Sequence, residues 1–460
     1  MSKKSFEELG LSPSWLENLD RLGYVEMTAI QARALPVMLE GKDVIGQAST
    51  GTGKTAAFGL ALLQKIEPAG EIPGALVLCP TRELAAQVAA EIRRLARPLA
   101  NTNVVTITGG ASSSRQRESL RHGVDIVVGT PGRVLDHIRR EKLDLSGVET
   151  LVLDEADRML DMGFIDDVTS IAEATPEGRQ TILMSATATE GVRGLSEDFQ
   201  NDATFISVAD AGADPDITQI LYDIEKLDRI DALLRVLAYH QPESAVIFCN
   251  QRNTTEEVAS RLRRSGYSVA NLHGGMEQRD RDDTLLMFAN GSLRLLVSTN
   301  VAARGIDIEE LDAVINYELP RDPKEFVHRV GRTGRAGERG VAIGLIGGYD
   351  KPKIDKIGPL LADVPLRPIE KLPNHSGDPQ PPPMKTVVIK GGRKDKLRAG
   401  DIVGALTGEL EIDGESIGDI TIGDRVAHVA IEYPIADTAL ERILAGRIKG
   451  RTFKAYMLTL

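Results

Sequence analysis

The fold class predicted from the chain is α/β: two tandem parallel-sheet domains, then a smaller α+β domain. Three observations carry it. Unbroken Val/Ile/Leu runs alternate with helical patterns between residues 44 and 208. The alternation stops at an acidic, glycine-containing stretch, 209–216, and restarts between 245 and 345. After a proline-rich segment at 371–383, residues 384–460 read β–α–β–β–α–β. Runs that are apolar at every position belong to strands buried on both faces, the condition of a parallel sheet between helix layers. The expected boundaries are therefore 1–208, 217–370 and 384–460, with 209–216 and the extended, proline-rich 371–383 as linkers. A chain of 460 residues is in any case too long for one core.

Composition narrows the class. Hydrophobic content of 42% with 27% charged residues is that of a soluble globular protein. No apolar run approaches the ~20 residues that a membrane span needs, so no membrane partner is expected. The N-terminus, Met-Ser-Lys-Lys-Ser-Phe-Glu-Glu, lacks the apolar core of a signal peptide. Cys79 and Cys249 each end a buried-looking strand, which fits packing in a reducing cytoplasm rather than a disulfide. A net charge of −12 disfavours nucleic acid in bulk but says nothing about local patches. With 4% aromatics, stacking is not expected to be the main grip on bases.

Residues 1–30 read as a helical lead-in. Gln31 carries an amide donor and acceptor suited to the two edge groups of adenine, and Tyr24 could stack on the same base. Each reading is weak alone, because a Gln at a helix start is usually a surface residue. The next stretch is far more specific. An apolar run at Val44 and Ile45 leads into Ala48-Ser49-Thr50-Gly51-Thr52-Gly53-Lys54-Thr55, and a helical pattern runs from Lys54 to Ile66. Glycines between a strand and a helix N-terminus let backbone N–H groups wrap a phosphate, with the helix dipole aimed at its charge. Lys54 would reach the β- and γ-phosphates and the Thr55 hydroxyl would bind Mg²⁺. Ala48 stands where the general P-loop has glycine. A glycine-rich turn before an ordinary helix is the competing reading, and the Gly-Lys-Thr ending in strand–helix context argues against it.

The following strands are read at Ala75–Cys79, Val104–Ile107, Asp125–Val128, Thr150–Leu153 and Thr181–Met184. Polar clusters follow them: Pro80–Leu84, Gly109-Gly110, Thr130–Arg133, Asp154–Asp157 and Ser185–Thr187. In open parallel sheets ligands gather beyond the strand C-termini. Asp154, ending a buried strand, is where a P-loop enzyme holds its Mg²⁺, and Glu155 beside it is placed to deprotonate the attacking water. Acids serving a helix dipole would be the first reading had no P-loop preceded them.

The second domain shows strands at Ala245–Cys249, Val269–Leu272, Leu293–Val297, Ala313–Asn316 and Val341–Leu345, without a P-loop. It brings cations: Arg252, 302–307, and His328-Arg329-Val-Gly-Arg332-Thr-Gly-Arg335. Arginines at spacings of three on a presumed helix would point one way. The competing reading, a solvated basic face, sits poorly with the interleaved Gly331 and Gly334. Facing the nucleotide, Arg332 and Arg335 would be arginine fingers. The third domain holds twelve Lys/Arg against eleven Asp/Glu, leaving 43 against 56 in the preceding residues. Its bases cluster in Lys390-Gly-Gly-Arg393-Lys394-Asp-Lys396-Leu-Arg398 and in Arg447-Ile-Lys449-Gly-Arg451-Thr-Phe-Lys454. That asymmetry is the footprint of a phosphate-binding face. The proline-rich linker is expected to hold this domain at a distance from the other two.

Gln31, Ala48–Thr55, Pro80–Leu84, Thr130–Arg133, Asp154–Asp157, Ser185–Thr187, 298–307 and 328–335 resemble, in order, the motif set of the DEAD-box RNA helicases. The resemblance spans roughly residues 6–350, and Ala48 is ordinary for that family. The third domain is similar to the compact RNA-recognition-type domain of DbpA-type bacterial helicases. The resemblance implies two tandem RecA-like parallel-sheet domains plus a C-terminal α+β RNA-recognition-type domain. It implies ATP hydrolysis coupled to strand separation on ribosomal RNA during large-subunit assembly, with ATP and Mg²⁺ as cofactors, a ribosomal RNA hairpin as partner and a monomeric enzyme. By family pattern Gln31 reads adenine, residues 49–55 hold the phosphates, Thr55 and Asp154 hold the metal, and Glu155 is the base. Asp307 touches the ribose, and Arg332 and Arg335 the γ-phosphate. Ser185 and Thr187, with Asp157 and His328, couple hydrolysis to domain closure. Arg82, Gly110, Thr130, Arg133, Arg252 and Thr299 line the RNA backbone. Asn300 stands where Asp is frequent, and no role is assigned to it. The third domain lacks the aromatic pair with which a standard RNA-recognition sheet stacks bases, so a basic, groove- or loop-directed contact is expected. An RNA clamp that closes on ATP without remodelling is the alternative; an intact Glu155 argues against it. A DNA helicase is disfavoured by the appended domain.

Overall fold

A computed structural model describes residues 4–48, 51–68, 70–110, 113–121, 123–187, 189–208, 217–300, 311–334, 340–361, 364–373, 377–408 and 411–460. The chain forms two compact units, one carrying the first sheet, the other the second and third sheets. Ser49, Thr50, Asp307 and Arg335 lie outside the described residues, as does the 209–216 linker.

In the first unit, helices α1 (Pro13–Arg21) and α2 (Ala29–Leu39) precede β1 (Val44–Gln47) and α3 (Lys54–Leu63). Then come β2 (Ala75–Leu78), α4 (Arg82–Leu95), β3 (Val104–Ile107), α5 (Ser113–Arg121), β4 (Ile126–Gly129) and α6 (Pro131–Arg139). The unit closes with β5 (Thr150–Asp154), α7 (Ala156–Asp161), α8 (Ile165–Glu173), β6 (Gln180–Ser185), α9 (Glu190–Phe199) and β7 (Thr204–Ser207). The sheet order is β3-β4-β2-β5-β6-β1-β7, parallel throughout. Alternate residues of β2 serve opposite faces. Ala75 and Val77 join one core with Ile92 and Ile182, while Leu76 and Leu78 join the other with Leu151 and Leu183. That is why the strand reads apolar at every position. Burying a Leu of this kind contributes about 1.5–3 kcal/mol.

The second unit opens with β8 (Ile217–Asp223), α10 (Arg229–His240), β9 (Ala245–Cys249), α11 (Arg252–Arg264), β10 (Val269–Leu272) and α12 (Gln278–Ala289). It continues with β11 (Leu295–Thr299), β12 (Ala313–Asn316), α13 (Pro323–Val330), β13 (Gly340–Ile346), α14 (Lys351–Leu361) and β14 (Leu366–Pro368). This sheet is also parallel, in the order β10-β11-β9-β12-β13-β8-β14. The arginine series departs from expectation here: α13 ends at Val330, so Arg332 lies in the turn beyond it and shares no helix face with Arg329.

The last sheet is antiparallel, ordered β16 (Ile417–Ile422), β17 (Ala427–Glu432), β15 (Met384–Ile389), β18 (Ala455–Met457). Helices α15 (Ala399–Thr407) and α16 (Ala436–Ala445) cover one face, where Val387, Ile389, Val429 and Ile431 pack with Ile402, Leu406 and Ile443. The other face is not open. Thr386, Val388 and Ala430 are at most 1% exposed. The Thr386 hydroxyl accepts from Asn290 Nδ2 at 2.9 Å and shares a hydrogen with Ser292 Oγ at 2.8 Å, both between α12 and β11. His428 Nε2 faces Asp283 of α12 at 3.9 Å. The described end of the linker expected to act as a spacer, residues 377–383, lies along the second domain. Arg294 Nε donates to the Pro381 carbonyl at 2.7 Å, and Met384 N to the Gly291 carbonyl at 3.3 Å. The third sheet is therefore seated on the second domain, not held away from it.

Candidate functional site

The segment between β1 and α3 is gripped from the side by α2. Thr28 caps that helix, and its hydroxyl donates to the Thr52 carbonyl at 2.7 Å. Gln31, 1% exposed, accepts from Thr28 N at 2.8 Å and donates from Nε2 to the Gly53 carbonyl at 3.1 Å. Gly53 is left-handed (φ 84), and a Cβ there would stand 2.4 Å from the Gln31 amide nitrogen. Only glycine satisfies both demands. Tyr24 donates to Glu91 at 2.7 Å and meets Phe6 edge-on, with centroids 6.3 Å apart.

Lys54 begins α3 with its ammonium buried. Nζ donates to the Ala48 carbonyl at 2.6 Å, and burial pulls its pKa down against the opposing pull of Asp154, Glu155 and Asp157. Asp154, at the end of β5, is driven by burial up to about 7, with Lys54 opposing. An acid and an ammonium this deep want counter-charges, and a triphosphate with a divalent cation supplies both signs. The residues present fit those ligands. Glu155 is left-handed (φ 55) at the start of α7, and its Oε2 accepts from Arg158 Nη1 at 2.6 Å. Asp157 Oδ2 accepts from Thr187 N at 3.0 Å and Thr187 Oγ1 at 2.9 Å, while Ser185 Oγ donates to the Thr187 carbonyl at 2.7 Å. Lys54, Asp154, Glu155, Asp157, Ser185 and Thr187 are thus brought together at the ends of three adjacent strands, β5, β6 and β1.

The other half of the same sheet collects the expected RNA track. Arg82, Gly110 and Thr130 follow β2, β3 and β4, which are neighbours. The Arg82 guanidinium lies over Gly109, where a Cβ would meet it at 2.7 Å, and Gly110 is left-handed (φ 77). Arg133 donates to Gln116 Oε1 at 3.0 Å and pairs with Asp136 at 3.1 Å. Gln116 in turn donates to the Thr108 carbonyl at 2.8 Å and contacts His137 at 3.2 Å.

The second domain repeats the division. Arg252 follows β9, Thr299 ends β11, and Gly275 follows β10, again three neighbours. A Cβ on Gly275 would run into the Arg252 guanidinium at 2.2 Å. Arg332 and His328 come instead between β12 and β13; Arg332 is buried. Arg329 does something sequence reasoning missed. It is 3% exposed and donates to Asn300 Oδ1 at 2.5 Å, Asn316 Oδ1 at 2.8 Å, the Glu318 carbonyl at 2.7 Å and Asn250 Oδ1 at 2.9 Å. Asn300, left without a role, is a spoke of this hub. Arg158 and Gln116 were also missed; for Arg158 the signal was its place one helical turn from Glu155.

In the third domain Lys390, Arg393, Lys394, Lys396, Arg398, Lys449, Arg451 and Lys454 are all exposed. Lys390 N donates to the Lys454 carbonyl at 2.8 Å, and the Phe453 ring covers Gly391. Lys449 Nζ reaches the Lys396 carbonyl at 3.1 Å and Asp401 at 3.2 Å. The two basic segments therefore form one surface at one end of the sheet. No helix among the described residues is long and apolar enough to cross a membrane.

The DEAD/DEAH box helicase family matches residues 28–195, the helicase conserved C-terminal domain 225–337 and the DbpA RNA binding domain 386–456. The chain is 46% identical over 448 residues to the ATP-dependent RNA helicase DbpA of Escherichia coli, covering 97% of this chain and 98% of that one. It is 44% identical over 340 residues to the DEAD-box ATP-dependent RNA helicase CshA of Bacillus cereus, covering 74% of this chain and 65% of the relative. Among solved structures, S. cerevisiae Dbp5 bound to RNA and ADP BeF3 aligns at TM-score 0.72 and 32% identity, covering 80% of this chain and 96% of that one. Two RecA-like domains with divided strand ends, an RNA-binding third domain and these likenesses place the chain in the DEAD-box family, as a DbpA-type ATP-dependent RNA helicase.

Proposed function

We propose that this helicase uses ATP and Mg²⁺ to remodel structured ribosomal RNA, a hairpin of the large subunit during its assembly, as a cytoplasmic monomer. The functional domains are taken as 1–208, 217–370 and 384–460. Thr55 and Asp154 would hold Mg²⁺, which when bound neutralises phosphate charge. Lys54 and the backbone of 49–55 bind the phosphates. Gln31 keeps one amide hydrogen and one oxygen lone pair beyond its bonds to the protein, and these would pair with adenine. Tyr24 would lie at the base and Asp307 at the ribose. The attacking water's oxygen bonds to the γ-phosphorus as the bond to the bridging oxygen breaks, its electron pair leaving on ADP, and Glu155 takes the proton. Arg332 and Arg335 serve as fingers, a role worth ~10³–10⁵ in rate. Ser185, Thr187, Asp157 and His328 couple hydrolysis to closure.

Arg82, Gly110, Thr130, Arg133, Arg252 and Thr299 are read as contacts to RNA backbone, which carries no sequence information. Selectivity then falls to the third domain. The observation that carries this reading is the joining of its two basic segments into one exposed surface by Lys449. An ATPase titration with ribosomal RNA and a shuffled-sequence control tests it, using the full chain and a chain lacking 384–460. The shortened chain should keep its turnover at saturating RNA but need more ribosomal RNA to reach it. An equal preference for ribosomal RNA in both proteins would sink the assignment.

A further inference from the structure

We propose that Arg158 is a positioning residue for hydrolysis: it aims the Glu155 carboxylate at the attacking water. This rests on the reading of Glu155 as the base. Glu155 occupies a backbone region that residues other than glycine enter at a cost, so its side chain leaves β5 in an unusual direction. Arg158, one turn along α7, fixes that direction through the 2.6 Å bond to Oε2. The two side chains are only 4% and 9% exposed, so water neither screens the pair nor competes for it. Among the described residues no other side-chain hydrogen bond reaches the carboxylate. Oε1 is then the oxygen left to accept water's proton.

A second link connects this pair to the Ser-Ala-Thr turn. Arg158 N donates to Asp157 Oδ1 at 3.0 Å, and the other oxygen of Asp157 is the one clamped by Thr187. A shift of that turn passes to the aim of the base through one peptide unit. Arg158 exchanges no proton and touches no reacting atom. Its larger effect is therefore on the rate of the chemical step, its charge acting only as the smallest of the influences on the Lys54 ammonium.

Arg158→Gln and Arg158→Lys in the full-length protein test this by RNA-stimulated ATPase, labelled-ATP affinity and thermal melting. Arg158→Gln should lower kcat by ~10–100-fold, the usual size for a residue that orients a reacting group, with KM and nucleotide affinity within about twofold. Arg158→Lys should recover part of the loss. Added to Glu155→Gln, Arg158→Gln should cost nothing further, because the group it aims is gone. An unchanged kcat overturns the proposal, as does a further loss on the Glu155→Gln background. A rise in RNA-independent turnover overturns it too, showing restraint in place of aim. Should Arg158→Gln fail to fold, Arg158→Lys decides alone: a folded variant with full kcat sinks the idea. Failure of the underlying reading would show separately, as high turnover in Glu155→Gln itself.

Discussion

Gln31 uses both ends of its amide inside the protein, tying the start of α2 to the carbonyl of Gly53. Replacing it by Glu keeps the shape but removes the donor and sets a negative charge against that carbonyl. The carbonyl would keep its helical bond from Ala57 N but lose the one from Gln31 and face a carboxylate. A buried hydrogen bond replaced by such a mismatch costs roughly 1–3 kcal/mol, so labelled ATP should bind about 5- to 150-fold more weakly. Unaltered affinity in a nucleotide titration would remove Gln31 from the phosphate loop's support. Arg329 teaches the complementary lesson. Its fork joins asparagines at the ends of β9, β11 and β12, a geometry that a lysine's single ammonium cannot match. Arg329→Lys should lower the second unit's stability by ~2 kcal/mol, through the buried Asn316 oxygen and the half-buried Asn250 and Asn300 oxygens that lose their donor. Chemical denaturation monitors it, and an unshifted midpoint would refute the hub. Asn300 fits this picture because its amide oxygen suffices as acceptor, with no carboxylate required.

At the scale of elements, most strands were legible because burial on both faces leaves apolar runs that no turn or surface helix imitates. Val269–Leu272 and Ala313–Asn316 fall where the runs predict. Helix ends were harder. The stop of α13 at Val330 did carry a signal, Gly331 directly beyond it, but the regular arginine spacing pointed the other way. The Arg158–Glu155 pair escaped for a related reason: an Arg one turn from a Glu usually marks a solvated surface pair, and only burial gives it weight. The paired basic loops were legible as composition, but their joining was not, since Lys449 meets the Lys396 carbonyl and Asp401 across a stretch of chain that no local spacing connects. Lys449→Ala should weaken RNA binding across sequences and reduce the salt dependence of affinity by about one unit of slope. Affinity measured at several salt concentrations checks this; an unchanged slope would place Lys449 off the RNA.

For the whole molecule, the seat of the third sheet matters most. His428 lies within that seat, and burial pulls its pKa below the ordinary value while Asp283 opposes. The packed state thus favours neutral imidazole. Its contribution is complete above the unfolded value of about 6.5 and is lost as pH falls through the folded one. Acidification below about pH 6.5 should loosen the third domain from the second. Fluorophores on the two domains would report this, and His428→Gln should flatten the response. Tightening on acidification would mean that the ion pair with Asp283 dominates instead. A seat of this kind also changes what recognition measures. A domain on a loose string samples a volume and raises local concentration; a domain bolted through Thr386, Asn290 and Ser292 holds its basic end at one radius. The helicase then works as a pair of calipers. On the proposed reading of a hairpin target, an RNA that keeps the hairpin but has extra base pairs before the duplex to be opened should still bind, yet open poorly. Its efficiency should rise and fall as each added pair rotates the duplex around its axis.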